Sequence, residues 1–291
     1  MASVNVSPEP APKRRSPSRL LMSVGYYIVL AALVIITVFP IYWMVTTAIR
    51  PATENLTYPP SLWPKSLDLE PVRRLFQDGN IGRWIINSTL LSTLVTAICV
   101  LMAIFGAYVL SMMRWRGRAV FAVFLLMTQM LPEALIIVPI YKIYTDIGLR
   151  ESLYGLSLID AAFVLPICVW VLKNMFDTVP REVREAALVD GAGPMRVLFQ
   201  IVLPITLPGL VAVGVVAFFY AWNEFLFAQT MITTESSKPA SVGLASMITM
   251  LDTPIERLLA AGFLFAIPPV LFYIAMQRYI IAGITAGAVK G

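Results

Sequence analysis

The sequence predicts an all-α integral membrane protein of six transmembrane helices with both termini in the cytoplasm. Three observations carry that expectation. Of 291 residues, 58% are hydrophobic and 13% charged, and a mean hydropathy of +0.79 leaves too little charged surface to keep a soluble domain dispersed. Apolar runs long enough to cross a hydrocarbon core of about 30 Å recur from Val24 almost to the C-terminus. Lys and Arg are shared unequally between alternate connections. Histidine is absent, and Cys99 and Cys168 each lie inside an apolar run. A disulfide framework, cysteine or histidine metal sites and histidine-based catalysis are therefore excluded, and no metal site is expected.

The six spans run from Val24 to Ile49, Trp84 to Met113, Ala119 to Thr145, Leu156 to Met175, Pro204 to Met231 and Leu258 to Ala282. The first is too long for a signal peptide and lacks a small-x-small cleavage pattern, so it is expected to remain as a helix. Residues 1–19, with Pro8, Pro10, Pro12 and Pro17 among Lys13, Arg14, Arg15 and Arg19, read as a disordered basic tail. Residues 20–83 comprise the first helix and an outer loop, 84–282 the transmembrane core with an inner loop at 178–203, and 283–291 a C-terminal tail. The side holding both termini carries 13 Lys and Arg against 8 on the other, which places it in the cytoplasm. The net charge of +5 is this inside bias and not a nucleic-acid surface. Trp84 and Trp115, at predicted span edges, suit interfacial anchoring. Pro40, Pro132, Pro139, Pro166, Pro208 and the pair Pro268-Pro269 interrupt five spans, as in bundles that line a cavity or hinge.

The inner loop after span four has the pattern of two short helices. Pro180 suits a first helical position, Glu182 and Glu185 the early turns, and Gly191 a left-handed stop, with a second helix starting at Pro194. Val183, Ala186, Ala187 and Asp190, spaced i, i+3, i+4, i+7, make a narrow, smooth face that a partner can approach closely. Glu185 stands beside it, able to accept a charge-assisted hydrogen bond from a partner Arg or Lys.

Glu185-Ala186-Ala187, followed by Gly191 and by Ile201-Val202-Leu203-Pro204, resembles the EAA motif of permease subunits in ATP-binding-cassette (ABC) importers. Ala221-Trp222-Asn223-Glu224-Phe225 and the tail from Gly283 to Gly291 resemble the carbohydrate-importer branch, particularly the maltose permease type. The likeness spans residues 20–291. It implies a type I ABC importer permease fold in the bacterial inner membrane, pairing with a second permease subunit as a heterodimer, two ATP-binding subunits and a periplasmic or lipid-anchored solute-binding protein that delivers a sugar. ATP and Mg are expected on the ATPase subunits and no cofactor on this chain. None of the six lysines follows a glycine, so a phosphate-binding G-x-x-x-x-G-K-[ST] loop is impossible here. By the same resemblance, Val183, Glu185, Ala186, Ala187, Asp190 and Gly191 couple to the ATPase. Gly287, Lys290 and Gly291 reach the ATPase interface, and Asp252, Thr253 and Pro254 occupy the position of a loop that probes the binding protein.

Gln129 and Glu133 on span three and Asn223 and Glu224 on span five are polar groups at membrane depth. They face protein or water because lipid does not solvate them. They suit a path for hydroxyl-rich solutes or, alternatively, hydrogen bonds between helices. Glu133 is read as mid-membrane, with Gln129 one turn away on the same face. Asp160 enters near the outer end of span four and is expected to stay hydrated. The competing readings are a permease for a non-sugar solute, an ion-driven secondary transporter, which lacks the expected internal repeat, and a membrane enzyme, which lacks a clustered acidic or histidine site.

Overall fold

The computed structural model of the protein describes residues 17–55, 57–77, 79–249 and 253–288. All regular elements among them are helical. Helix α1 (Pro17–Ala48) is followed by α2 (Ala52–Asn55) and α3 (Glu70–Gln77), then by α4 (Ile81–Met112), α5 (Arg118–Met127) and, past a 3-10 turn, α6 (Glu133–Asp146). Next come α7 (Leu153–Phe176), α8 (Arg181–Val189), α9 (Pro194–Val197), a π-helical turn Leu198–Val202 and α10 (Leu203–Ile205). Helices α11 (Leu207–Trp222), α12 (Leu226–Met231), α13 (Ala240–Ser246) and α14 (Ile255–Ala288) complete the chain. Four of these, α1, α4, α7 and α14, are long and apolar enough to cross a membrane, and two bent pairs raise the number to six if each pair is one span.

The core forms where α4 packs along α7 and α11. Leu91, Val95, Cys99, Ala103 and Ala107 on α4 meet a buried set that includes Val164, Cys168 and Leu172 on α7 and Val213 and Ala217 on α11. Small residues allow the close approach: a Cβ on Gly106 would lie 3.1 Å from a methyl of Val169. Both cysteines serve here as small buried residues. Helix α1 lies against α14 and turns its apolar residues from Met22 to Ile41 outward, a surface only lipid or another apolar protein face can cover. Thr37 of α1, like the threonines of α4, bonds back to its own helix: Thr37 to Leu33 O (2.8 Å), Thr89 to Ile85 O (2.8 Å), Thr93 to Thr89 O (2.7 Å) and Thr96 to Ser92 O (2.6 Å). These hydroxyls are spent on the backbone.

Several expectations are corrected. Helix α1 begins at Pro17, inside the segment read as tail, because proline is tolerated in a first turn; residues 1–16 lie outside the described residues. Span three is broken, its two halves meeting at 92° around Leu131-Pro132. Span five is broken twice, by an 81° bend at Thr206 and again between Trp222 and Leu226. Pro40, Pro139, Pro166, Pro268 and Pro269 remain inside continuous helices, so the sharp bends belong to Pro132 and to the stretch just before Pro208. Helix α14 runs to Ala288, past the predicted end at Ala282.

Trp84 is no interfacial anchor. It is buried, and its indole donates to Glu235 O at 3.3 Å. Asn87 donates to Ser236 O (2.9 Å) and Lys238 O (3.0 Å), and Ser88 accepts from the Ala240 amide (2.8 Å). The first turns of α4 thus fasten the segment that carries α13. Trp115 stays partly exposed, edge-on to Phe121. At the same end of the bundle as Trp84, buried Arg50 donates to Thr46 O (3.0 Å) and Ser61 O (3.1 Å), tying the 51–65 segment to the end of α1.

Two measurements check this account. A Cβ on Gly243 would fall 2.2 Å from Trp84 Cδ2, so Gly243→Ala is expected to lower stability by about 1–3 kcal/mol in thermal unfolding of the detergent-solubilised protein. Gly25→Ala, where nothing lies within 4 Å, is expected to leave it unchanged. On α3, Arg73 and then Arg74 hold the Glu70 carboxyl at about 2, below its ordinary 4.5. A depressed carboxyl stabilises above its ordinary value and loses that contribution as pH falls through the folded one. Protection of α3 amides is therefore expected to weaken as pH drops from about 4.5 toward 2, and Glu70→Gln is expected to remove that dependence.

Candidate functional site

The hairpin of α8 and α9 is built by its turn. Pro180 caps α8 with an extended ψ of 137° and is not its first helical residue, since the preceding chain arrives from α7 through a tight turn. At the other end Gly191 has φ +81°, its amide bonds Leu188 O (3.1 Å) and the Ala192 amide bonds Ala187 O (2.9 Å). This pair of bonds is a Schellman cap, and only a residue without a Cβ adopts that φ cheaply. Pro194 then opens α9 at its first turn, as the sequence predicts.

The predicted smooth face is divided. Val183, Ala186, Asp190 and Gly191 are exposed, as is Glu185 beside them, whereas Ala187 is half-buried against the bundle core. The division follows from Arg184, whose Nη1 donates to Met112 O at the end of α4 and turns its side of α8 inward. Val189, on the outer side of α8, is 86% exposed, and Leu188 and Met195 of α9 are exposed beside it. These apolar residues escaped the sequence reading, which looked for one helical stripe; their signal was an apolar pair directly before the Asp-Gly stop. Exposed aliphatics on a short polar helix mark a docking surface. Beyond it, Val197, Leu198 and Val202 are fully buried, so the hairpin continues rigidly into the core before the bend at Thr206.

The four membrane-depth groups are not brought into one helical face. Gln129 lies in the 3-10 turn and Glu133 begins α6 beyond the break, so the same-face expectation fails because no continuous helix joins them. Gln129 donates to Phe163 O (2.7 Å), and Glu133 accepts from the Tyr220 hydroxyl (2.6 Å). Glu224 is buried and caps α12, accepting from the Phe227 (2.6 Å) and Ala228 (2.9 Å) amides. Asn223 bonds Phe219 O (2.8 Å) and stays exposed. It borders a cavity of about 340 Å³ between α11 and α14 whose walls are Phe219, Trp222, Phe265, Pro269 and Tyr273. Asp160 does not reach the surface as expected: it is fully buried on α7, and neither carboxyl oxygen has a hydrogen-bond partner among the described residues of the protein. Only its fold neighbours reveal this, because the residues that cover it come from distant parts of the chain.

At the far end of the bundle, Glu151 clasps the end of α12. It accepts the Thr233 and Thr234 amides (3.0 Å each) and the Thr233 hydroxyl. Burial pushes its carboxyl up, but these bonds outweigh it and leave it below the ordinary value. Thr253 closes its own loop by bonding Thr249 O (2.8 Å), and Pro254 borders a cavity with Arg74, Trp84 and Arg257. Asp252, Lys290 and Gly291 lie outside the described residues, and Gly287 falls in the last turns of α14.

An apolar helical bundle that carries, at one end, a rigidly rooted polar hairpin with exposed aliphatics is the architecture of a membrane permease subunit. The chain belongs to the family described as the binding-protein-dependent transport system inner membrane component, whose model matches residues 99–285. It is 34% identical over 275 residues to the inner membrane ABC transporter permease protein YcjP of Escherichia coli K12, covering 94% of this chain and 98% of that one. It is 30% identical to the diacetylchitobiose uptake system permease DasC of Streptomyces coelicolor (87% and 92% covered), and 28% identical to the trehalose transport system permease SugB of Mycobacterium tuberculosis (91% and 97% covered). A crystal structure of a bacterial ABC transporter involved in the import of the acidic polysaccharide alginate shares the fold, with TM-score 0.78, 20% identity and 92% and 99% of the two chains covered.

Gly191→Ala is expected to cost the hairpin about 1–2 kcal/mol through the left-handed φ, read as faster amide exchange at residues 186–192 with the spans unchanged.

Proposed function

We propose that this chain is one permease subunit of an ATP-driven carbohydrate importer, forming half of the translocation path. In this reading the chain crosses the membrane six times, each bent pair counting as one span, with both termini and the α8–α9 hairpin on the cytoplasmic side; the excess of Lys and Arg on that side supports it. It pairs with a second permease, two ATPase subunits that carry ATP and Mg, and a solute-binding protein. The observation that carries this reading is the hairpin: a Schellman-capped turn, exposed Val183, Leu188 and Val189, and a buried root through Leu198 and Val202. Such a rigid lever suits force arriving from a separate ATPase. Val183, Glu185, Ala186, Asp190 and Gly191 make the contact, with Ala187 packed behind them, while the C-terminal residues Gly287, Lys290 and Gly291 lie toward the ATPase interface.

Sugar as cargo is supported by relatives named for diacetylchitobiose and trehalose and by the aromatic cavity beside Asn223. Aromatic faces pack against the C–H face of a sugar ring, and an amide exchanges hydrogen bonds with its hydroxyls. Gln129 and Asn223, the exposed members of the polar set, line the path, and Glu133 and Glu224 hold its bends. Asp252, Thr253 and Pro254 face the binding protein on the opposite side.

The double variant Glu185→Lys, Gly191→Pro destroys the docking surface and leaves the bundle intact. In vesicles containing the assembled complex, it is expected to insert normally but to abolish uptake of the sugar that raises the melting temperature of the cognate binding protein. Uptake at the unchanged rate removes the hairpin from the mechanism.

A further inference from the structure

Helix α4 ends in trouble. Its last carbonyls have no intrahelical donors, and the residue after it, Met113, is extended at φ −92°, ψ 142°, so no glycine-type cap satisfies them. Two cations do so instead. Arg118, the first residue of α5, donates to Ser111 O at 3.2 Å, and Arg184 of the hairpin donates through Nη1 to Met112 O. A guanidinium at a helix C-terminus also meets the negative end of the helix dipole. The second helix of the hairpin is tied to the same place, because the Tyr108 hydroxyl, one turn earlier on α4, donates to Pro194 O at 3.1 Å. Around this point lie Asp177 at the end of α7, which accepts from Ser111 Oγ at 2.6 Å, and Lys173, paired with Asp177 at 2.5 Å. Asp177 lines, with Ser111, Arg118 and Arg184, a polar cavity of about 260 Å³.

We propose that Arg184 is the positioning residue that fixes the hairpin to the end of α4, with Tyr108 as its second tie, so that displacement of the hairpin moves α4 directly. Ala187 and Ala192 pack on the core only by apolar contact, which permits sliding; a charge-assisted bond to a helix end resists it. Since α4 is the helix on which α7 and α11 both pack, force delivered there reaches the centre of the bundle. The proposal rests on the reading of the hairpin as the ATPase contact.

The test uses the whole complex in lipid vesicles, with ATP and vanadate as the probe that traps the ATPases closed, and follows amide exchange of residues 107–113. In the unchanged complex, trapping is expected to alter exchange there. Arg184→Met, which keeps the aliphatic stem and loses every donor, is expected to reduce that response about tenfold, the scale of one charge-assisted hydrogen bond. ATP hydrolysis and copurification of the ATPase persist. Arg184→Lys, which keeps a cationic donor, is expected to restore most of the response; a purely structural role for the stem would not distinguish Lys from Met. If Arg184→Met does not accumulate, Tyr108→Phe removes the second tie at almost no change in volume and is expected to weaken the response in the same direction. A full response in Arg184→Met, or in Tyr108→Phe where that variant stands in, overturns the proposal. Loss of the response in Glu185→Lys, Gly191→Pro but not in Arg184→Met refutes the Arg184 tie alone, whereas a full response in that double variant refutes the coupling reading itself.

Discussion

A chain in hydrocarbon has no water with which to satisfy its backbone, so every bend must bring its own hydrogen-bond partners. At the break between α11 and α12 a side chain supplies them, and near the other two breaks side chains fasten the bend to a neighbouring carbonyl. Near Leu131-Pro132, Gln129 reaches across to the Phe163 carbonyl of α7. At Thr206 the hydroxyl closes onto Val202 O at 2.7 Å, and between α11 and α12 the Glu224 carboxylate takes two amides that start the next helix. Glu224 is thus a direct means by which irregular backbone is satisfied within a span, while Gln129 and Thr206 hold the adjoining turns in place. Irregular backbone is tolerated there only when buried in protein or lining a cavity.

That constraint connects the core to the hairpin. The buried run Val197, Leu198 and Val202 leads from the hairpin to the bend at Thr206, and the bend turns the chain into α11, which packs on both α4 and α7. The hairpin is consequently rooted in the same three-helix centre that it overlies, through apolar burial beyond α9 and a polar tie to α4 from each arm. Helix α1, in contrast, touches the bundle mainly through α14 and leaves its remaining apolar surface uncovered.

Long, strongly apolar segments were legible in the sequence, because a 20-residue hydrophobic run has few alternatives to a spanning helix. The same is true of the hairpin, where Pro180, Gly191 and Pro194 are local signals whose meaning does not depend on the rest of the fold. What escaped prediction were features decided by tertiary contact. Prolines alone did not tell positions that stay inside a continuous helix, such as Pro166, from the break at Pro132, since the outcome depends on whether a neighbouring helix stabilises the turn. Trp84 looked like an interfacial residue until Gly243 came down upon it, and Asp160 looked solvated until the folded bundle buried it. Arg184 was invisible for the same reason: its partner is a carbonyl 72 residues away.

The central claim, that this bundle is driven through its hairpin by a separate ATPase, is tested most directly by purifying the tagged chain in mild detergent from its native membrane and identifying every protein that accompanies it. The account predicts a second permease, a nucleotide-binding subunit and a solute-binding protein in the same complex. Purification of the chain with itself alone, without an ATPase, contradicts it.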